Sequence, residues 1–332
     1  MKNTSKPILI IGLGSVGRRH LKNLLLLGYD NIILYRTGKS TLPTNELAEY
    51  KTFGDLEEAL SLNPIAAIVS NPTSLHVSTA LKAINAGCHL FLEKPVSHSI
   101  EKISELQRNA KTKNLQVHVG FQFRFHPGLQ QIKKWIERNK IGQVISVQSH
   151  WGEHIKDWHS WEDYRKSYSV REEMGGGVVL TLSHPFDYLI WLLGDVEKVY
   201  AVTKKHQSLA INTECMAETV LHFNSGVIGS VYLDYLERPA KHTLNIIGDL
   251  GTIRWDNADG TARLFVEDKC VSKCTVPKGF ERNTMFLEEM KHFLECINEK
   301  GLPMCSLNEG IKSLEIALAV KRSAVEGAEV HI

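Results

Sequence analysis

Three glycines in Gly12-Leu13-Gly14-Ser15-Val16-Gly17 carry the spacing of a phosphate cradle. They follow the β-branched run 8–11 and open a stretch of helical periodicity, the setting such a cradle requires. Gly12 would permit a tight turn, Gly14 would let backbone approach a pyrophosphate, and Gly17 would let helix and strand pack closely. The helix start would then offer an anion its unpaired N–H groups and the positive end of its dipole. The plainer alternative is a glycine-rich turn in an unrelated α/β fold.

If a dinucleotide binds here, the end of the second strand selects it. An Asp or Glu there would bond the adenine ribose and repel a 2′-phosphate. The chain has Tyr35-Arg36-Thr37-Gly38-Lys39-Ser40 instead. Arg36 could stack on adenine and pair with the phosphate, and Thr37 and Ser40 could donate hydroxyls. The reading prefers NADP and leaves NAD possible. Its alternative is that Arg36 and Lys39 are solvated loop charges.

Glu93-Lys94-Pro95 follows a fourth strand at its carboxyl end, where open parallel sheets bind ligands. Pro95 biases Lys94 towards extended geometry. The lysine could give a proton or hydrogen bond to a substrate oxygen, with Glu93 holding it by charge. From the tripeptide alone, an exposed Glu–Lys pair is the plainer reading.

The elements that must carry these residues alternate. Strand-like runs at 8–11, 32–35, 66–69, 89–92 and 116–119 are separated by helical stretches, which predicts a doubly wound parallel sheet. After about residue 120 the grammar changes. A helix is expected over 129–138 and a strand over 144–150. The triple glycine Gly175-Gly176-Gly177 introduces one helix running to Leu193. Six strand-like runs between 198 and 266 are divided by turn signals, and two helices are expected over 283–300 and 307–326. The expected fold is α/β: a Rossmann domain over 1–120, then an α/β domain over 121–332 with an open, mostly antiparallel mixed sheet. The last helices are open to packing back on the first domain.

Composition agrees with a globular chain. Of 332 residues 43% are hydrophobic and 23% charged, and 39 Lys and Arg against 37 Asp and Glu leave a formal charge of +2. That balance argues against a nucleic-acid partner. The apolar run 7–12 is too short for a membrane span and 1–6 lacks a secretory pattern, so a cytoplasmic protein is expected. The six cysteines form no CxxC pair, and no metal site is expected. His150 and His154 would suit a metal only on a helix, whereas their surroundings read as strand into loop.

Further pieces join the glycine motif and Glu93-Lys94-Pro95: Ser70-Asn71-Pro72 with His76, Arg124-Phe125-His126-Pro127, the triple glycine, and Ser183-His184-Pro185-Phe186-Asp187. In this order and spacing the chain resembles the glucose–fructose oxidoreductase / inositol dehydrogenase / MocA (Gfo/Idh/MocA) family of NAD(P)-dependent oxidoreductases. The resemblance implies hydride transfer between a nicotinamide and a hydroxyl or ketone of a sugar, nucleotide-sugar or cyclitol, with substrate between the two domains. It implies oligomer contacts through the second sheet, here a homodimer or homotetramer. By it Asn71, Pro72 and His76 border the cofactor along with Leu13, Ser15 and Val16 of the cradle. Glu93 and Lys94 reach the nicotinamide ribose and reacting centre, and Arg124 lies near the cleft. His184 becomes the second proton carrier beside Lys94, since an imidazole near neutrality exchanges protons readily.

One position departs from the family pattern. Where relatives often place an Asp four residues before this His, the chain has Leu180, and the nearest polar residue is Thr181. Asp187, one turn after His184, is the remaining candidate to orient the ring. The segment 157–166 is polar and aromatic. Trp161 and Tyr164 could lie on a sugar face, and Arg165 or Lys166 could hold a carboxylate or phosphate. This stretch resembles a family branch linked to sugars of bacterial surface glycans. The rival to an enzyme is a non-catalytic nicotinamide-nucleotide sensor on the same scaffold.

Overall fold

The computed structural model describes residues 6–38, 42–43, 45–158, 162–299 and 301–332. In chain order its elements are β1 (Ile8–Ile11), α1 (Ser15–Leu26), β2 (Ile32–Tyr35), β3 (Lys51–Phe53), α2 (Leu56–Leu60), β4 (Ala66–Val69), α3 (His76–Asn85), β5 (His89–Glu93), α4 (Ile103–Thr112) and β6 (Val117–Gly120). Then come α5 (Pro127–Glu137), β7 (Val144–Gly152), α6 (Val178–Thr181), α7 (His184–Leu193), β8 (Val196–Lys204), β9 (Met216–Phe223), β10 (Ile228–Asp234), β11 (Lys241–Gly248), β12 (Thr252–Asp256), β13 (Thr261–Val266) and β14 (Lys269–Cys274). Last are α8 (Arg282–Glu299), α9 (Leu307–Glu326) and β15 (Val330–His331).

The chain divides into two compact units. One holds Met1–Gln122 with Arg282–Ile311, the other Phe123–Glu281 with Lys312–Ile332. Beside the boundary near residue 120, α8 and the start of α9 belong to the first unit. The reason is apolar: Met290, Phe293 and Leu294 of α8 are buried in one cluster with Ile8, Ile10, Leu21, Leu24, Leu34 and Ile68. Without them the part of that face not covered by α1 would lie open to water.

The first unit's described strands form a parallel sheet in the order β3-β2-β1-β4-β5-β6. β1 and β4 are buried at every position, which is why they read as unbroken apolar runs rather than alternating ones. The order steps outward from β1 in both directions, so β1 and β4 flank the point where the winding reverses. Ligands bind at the carboxyl edge there. β3 went unread in the sequence, being three residues with two exposed.

The second unit's described strands form a mixed sheet, β14-β13-β12-β11-β7-β10-β9-β8-β15, in which β7 and β10 run parallel and the other neighbours antiparallel. Burial alternates along β8, β9 and β10, so one face is packed and the other open. The helix expected to run unbroken from the triple glycine to Leu193 is two, α6 and α7, meeting at a 49° bend. Pro185 explains the break. It lacks the N–H and clashes with the turn before it, so it is tolerated only in a first turn, and α7 begins at His184.

Candidate functional site

In the first unit, Gly12 has φ +92°, and a Cβ on it would sit 2.7 Å from the Asn71 amide nitrogen. A Cβ on Gly17 would lie 1.9 Å from the Gly12 carbonyl. Above Gly14, by contrast, nothing lies within 4 Å. Gly14 is also the N-cap of α1, which has no side-chain cap and no acidic residue in its first turn. The first-turn amides of a twelve-residue helix thus begin at an open glycine, the donor set that suits an anion. Ser15 and Val16 are half-buried beside it, and Leu13 anchors the loop in the core.

Two residues fix this loop: Ser70, which stood in its motif without a role, and Arg18, which the sequence did not single out. The Ser70 hydroxyl lies 3.1 Å from the Ile11 carbonyl and donates to that of Gly12 at 2.9 Å. Arg18, buried in the second turn of α1, donates through Nε to the Leu13 carbonyl at 3.0 Å and through a terminal nitrogen to the Pro43 carbonyl at 2.6 Å, and it pairs with Glu46. Arg18 sits one residue after the motif, but its partners lie up to 28 positions away, beyond what spacing can reveal.

At the end of β4, Asn71 donates from Nδ2 to the Thr79 hydroxyl at 2.9 Å, while its buried Oδ1 has no partner among the described residues. A buried amide oxygen left bare is costly, and a donor supplied by a ligand would satisfy it. Pro72 is half-buried beside it. His76 was expected to border the cofactor. It is buried with Nδ1 2.8 Å from the Pro95 carbonyl and Nε2 2.9 Å from the Asn71 carbonyl, so backbone faces both ring nitrogens.

Glu93 and Lys94 stand at the end of β5. Glu93 is buried, and its Oε1 lies 2.6 Å from Nε2 of His20, a wholly buried residue of α1 set edge-on to Phe91. Glu93 was expected to hold Lys94 by charge, and His20 takes one of its oxygens. Lys94 is half-buried. Arg36 is half-buried and Thr37 exposed; the Arg36 backbone N–H donates to the Phe53 carbonyl at 3.1 Å. Lys39, Ser40 and Trp161 lie outside the described residues. The open Gly14, the uncapped α1 and the bare Asn71 amide fit a dinucleotide with its pyrophosphate on the helix end.

In the second unit His184 is 2% exposed, stacked on Trp151 at 5.4 Å and edge-on to Phe123 at 5.1 Å. Asp187 stands one turn after it on α7. Its carboxylate takes the guanidinium of Arg124, Nε at 3.1 and 3.2 Å and a terminal nitrogen at 2.8 Å. Both residues are essentially without solvent exposure. Arg124, expected near the cleft, is thus buried in an ion pair with Asp187 of α7, the helix that starts with His184.

Thr181 is buried against Tyr235, whose hydroxyl donates to the Ser169 carbonyl at 3.2 Å. Tyr164 gives its hydroxyl proton to the Leu209 carbonyl at 2.7 Å. Arg165 is exposed and pairs with Asp163 at 2.7 to 3.0 Å, which holds that carboxyl down to about 2. Gly177, at φ +108°, leaves room for Glu214, whose carboxylate would meet any Cβ there at 2.2 Å. Burial pushes the Glu214 carboxyl up while Lys321, 3.9 Å away, opposes it. Nothing near Glu214 in the sequence marked it.

Two family models match the chain. "Oxidoreductase family, NAD-binding Rossmann fold" covers residues 6–121, and "Oxidoreductase family, C-terminal alpha/beta domain" covers 133–332. The chain belongs to the Gfo/Idh/MocA oxidoreductase family. It is an oxidoreductase with an NAD-binding Rossmann domain. This Gfo/Idh/MocA chain is 25% identical over 345 residues to a myo-inositol 2-dehydrogenase of Thermotoga maritima, spanning 97% of each. Over 161 residues it is 33% identical to an uncharacterised oxidoreductase of Synechocystis, which covers 48% of this chain and 42% of that protein. Its fold matches that of the WlbA dehydrogenase of Bordetella pertussis, solved with NADH and UDP-GlcNAcA. The TM-score is 0.82 at 24% identity, over 98% of this chain and 97% of that one.

Among the described residues of this Gfo/Idh/MocA protein, no group of three or more His, Cys, Asp or Glu could hold a metal ion. Among them no single helix is long and apolar enough to cross a membrane. His150 lies on β7 with Nε2 2.6 Å from Glu237, and His154 caps a short helical turn through Nδ1.

Proposed function

We propose that the chain moves a hydride between a nicotinamide dinucleotide and the carbon of a sugar, nucleotide-sugar or cyclitol hydroxyl, with Lys94 and His184 sharing the proton. The observation that carries this is the pairing of an open, uncapped helix start at Gly14 with a bare Asn71 amide oxygen at the same sheet edge. When bound, the nicotinamide supplies or accepts the hydride. The residues of the chain do the rest. Gly14 and the α1 amides bind the anion, and Asn71 takes a donor and so orients the ring. Lys94 gives its hydrogen bond to the substrate oxygen, favouring the alkoxide as charge develops there. His184 exchanges the hydroxyl proton. The names of relatives, myo-inositol 2-dehydrogenase and a dehydrogenase crystallised with UDP-GlcNAcA, support the substrate class.

In this reading NADP is preferred, because Arg36 stands where an acidic residue would repel the 2′-phosphate. The second unit's open sheet face carries Tyr200, Val202, Val220 and Ile228, each about half exposed. Tyr200 and Val220 are cross-strand partners. That apolar patch supports a homodimer or homotetramer built on this face. A cytoplasmic location belongs to the same proposal.

Lys94→Ala tests the chemistry. It should bind NADPH as the wild type does and lose turnover by about a hundredfold or more, the scale of an oxyanion donor. Unchanged turnover would remove Lys94 from the mechanism and leave a nucleotide-binding sensor as the better reading.

A further inference from the structure

His76 occupies a place that neither the family models nor the proposed proton carriers explain. It is the first residue of α3, buried at 2% exposure, and its ring bridges two turns. One is the turn after β4, reached through the Asn71 carbonyl at 2.9 Å, and the other is the turn after β5, reached through the Pro95 carbonyl at 2.8 Å. These turns carry the bare Asn71 amide and Lys94. We propose that His76 is a positioning residue that sets the Asn71 amide and the Lys94 ammonium in register with each other through these two separate ties. This rests on the oxidoreductase reading above, in which both residues meet the bound nicotinamide and substrate.

The chemistry of the ring makes the ties separable. Both partners are carbonyl oxygens, which only accept, and a neutral imidazole has one N–H to give. The second tie therefore needs the second proton. Burial is the largest influence and lowers the ring's pKa against the two carbonyls and Glu93, which raise it, with Lys94 lowering it further. The neutral ring therefore donates to one carbonyl at a time, and its tautomer decides which. A tie released at either end shifts one turn against the other. Misplacement of about 1 Å in a reacting group can cost on the order of a hundredfold in rate.

Two substitutions separate the ties, because the side-chain amide of Asn places an N–H near Nδ1 and that of Gln near Nε2. His76→Asn keeps the donor towards Pro95. It should hold kcat within about threefold and raise the Kd for NADPH, measured by fluorescence titration, by about tenfold. His76→Gln keeps the donor towards Asn71, and the pattern should invert: Kd near wild type, kcat down about tenfold or more. Asn and Gln variants that lose kcat and Kd alike, or lose neither, would overturn the inference. Lys94→Ala with full turnover would instead overturn the reading beneath it, so the two failures are distinct. Should either His76 variant fail to fold, wild-type chain decides by NMR. A ring N–H of His76 exchanging with solvent as fast as an exposed histidine would refute the ties, and slow exchange is expected.

Discussion

Gly14 and Gly17 differ in what a side chain would meet, and the difference predicts opposite phenotypes from neighbouring substitutions. A Cβ at Gly17 would lie 1.9 Å from the Gly12 carbonyl and 2.8 Å from the Ser70 hydroxyl. The first of these is backbone and cannot swing aside. Overpacking of this kind costs about 3 kcal/mol, while Ala in place of Gly within a helix returns about 1 kcal/mol. The net loss of about 2 kcal/mol lowers Tm by about 4–8 °C. Gly14→Ser adds a side chain where nothing lies within 4 Å, at an N-cap position that serine favours. The cofactor-free Tm should stay level or rise by about 2 °C. The new hydroxyl would occupy the space above the helix start and compete for its amides, so the Kd for NADPH should rise about tenfold, or about 1.4 kcal/mol. Thermal denaturation without nucleotide and fluorescence titration with NADPH read the two effects separately. Gly14→Ser that destabilises as much as Gly17→Ala, or that binds NADPH at wild-type affinity, would refute the assignment of the α1 start to the pyrophosphate.

Other outcomes follow from single residues. Arg124→Met strands the Asp187 carboxylate in the core and should cost about 3–5 kcal/mol in urea denaturation, with Arg124→Met/Asp187→Leu recovering most of it; a small loss in the single variant would contradict the buried pair. His126 accepts the Gly128 N–H on Nδ1 as the N-cap of α5, and burial lowers its pKa to about 4. Its folded value lies below the unfolded one near 6.5, so the unfolded chain binds the extra proton first. Stability is full above about pH 6.5 and falls towards pH 4, by about 3 kcal/mol in all. His126→Asn, which keeps a capping acceptor, should flatten that acid limb, and an unchanged limb would exclude His126 as its source. Arg36→Glu should raise the Kd for NADP at least tenfold and leave NAD binding within about threefold, and equal effects on both would end the case for NADP.

What the sequence disclosed was local. The cradle, the apolar strands β1, β2 and β4, and α9 were legible because each announces itself within a few residues by glycine spacing or by apolar period. The break before His184 was legible in principle, since Pro185 cannot sit inside a helix, yet the triple glycine drew attention to the wrong end. β14 is polar and mostly exposed, and β15 is two residues long, so neither carried a periodic signal. The site's supports were out of reach for a different reason. His20 meets Glu93 across 73 positions and Arg124 meets Asp187 across 63, and the choice of partner is made by packing, which no spacing encodes. Asp187 shows the limit: helix geometry pointed from it to His184, and nothing local announced the guanidinium of Arg124 that it also holds.

The return of α8 to the first unit bears on how the protein is made. Ribosomes deliver chain from the amino end at roughly 5–20 residues per second, and early domains generally fold as they emerge. Here the nucleotide-binding sheet is complete in sequence by Gly120, but the apolar layer that seals it includes Phe293 and Leu294. For the synthesis of some 170 further residues, roughly ten to thirty seconds at those speeds, the nascent sheet waits with that greasy side covered only in part, by α1. Pulse-labelling of stalled nascent chains should find that half protease-sensitive until α8 leaves the exit tunnel.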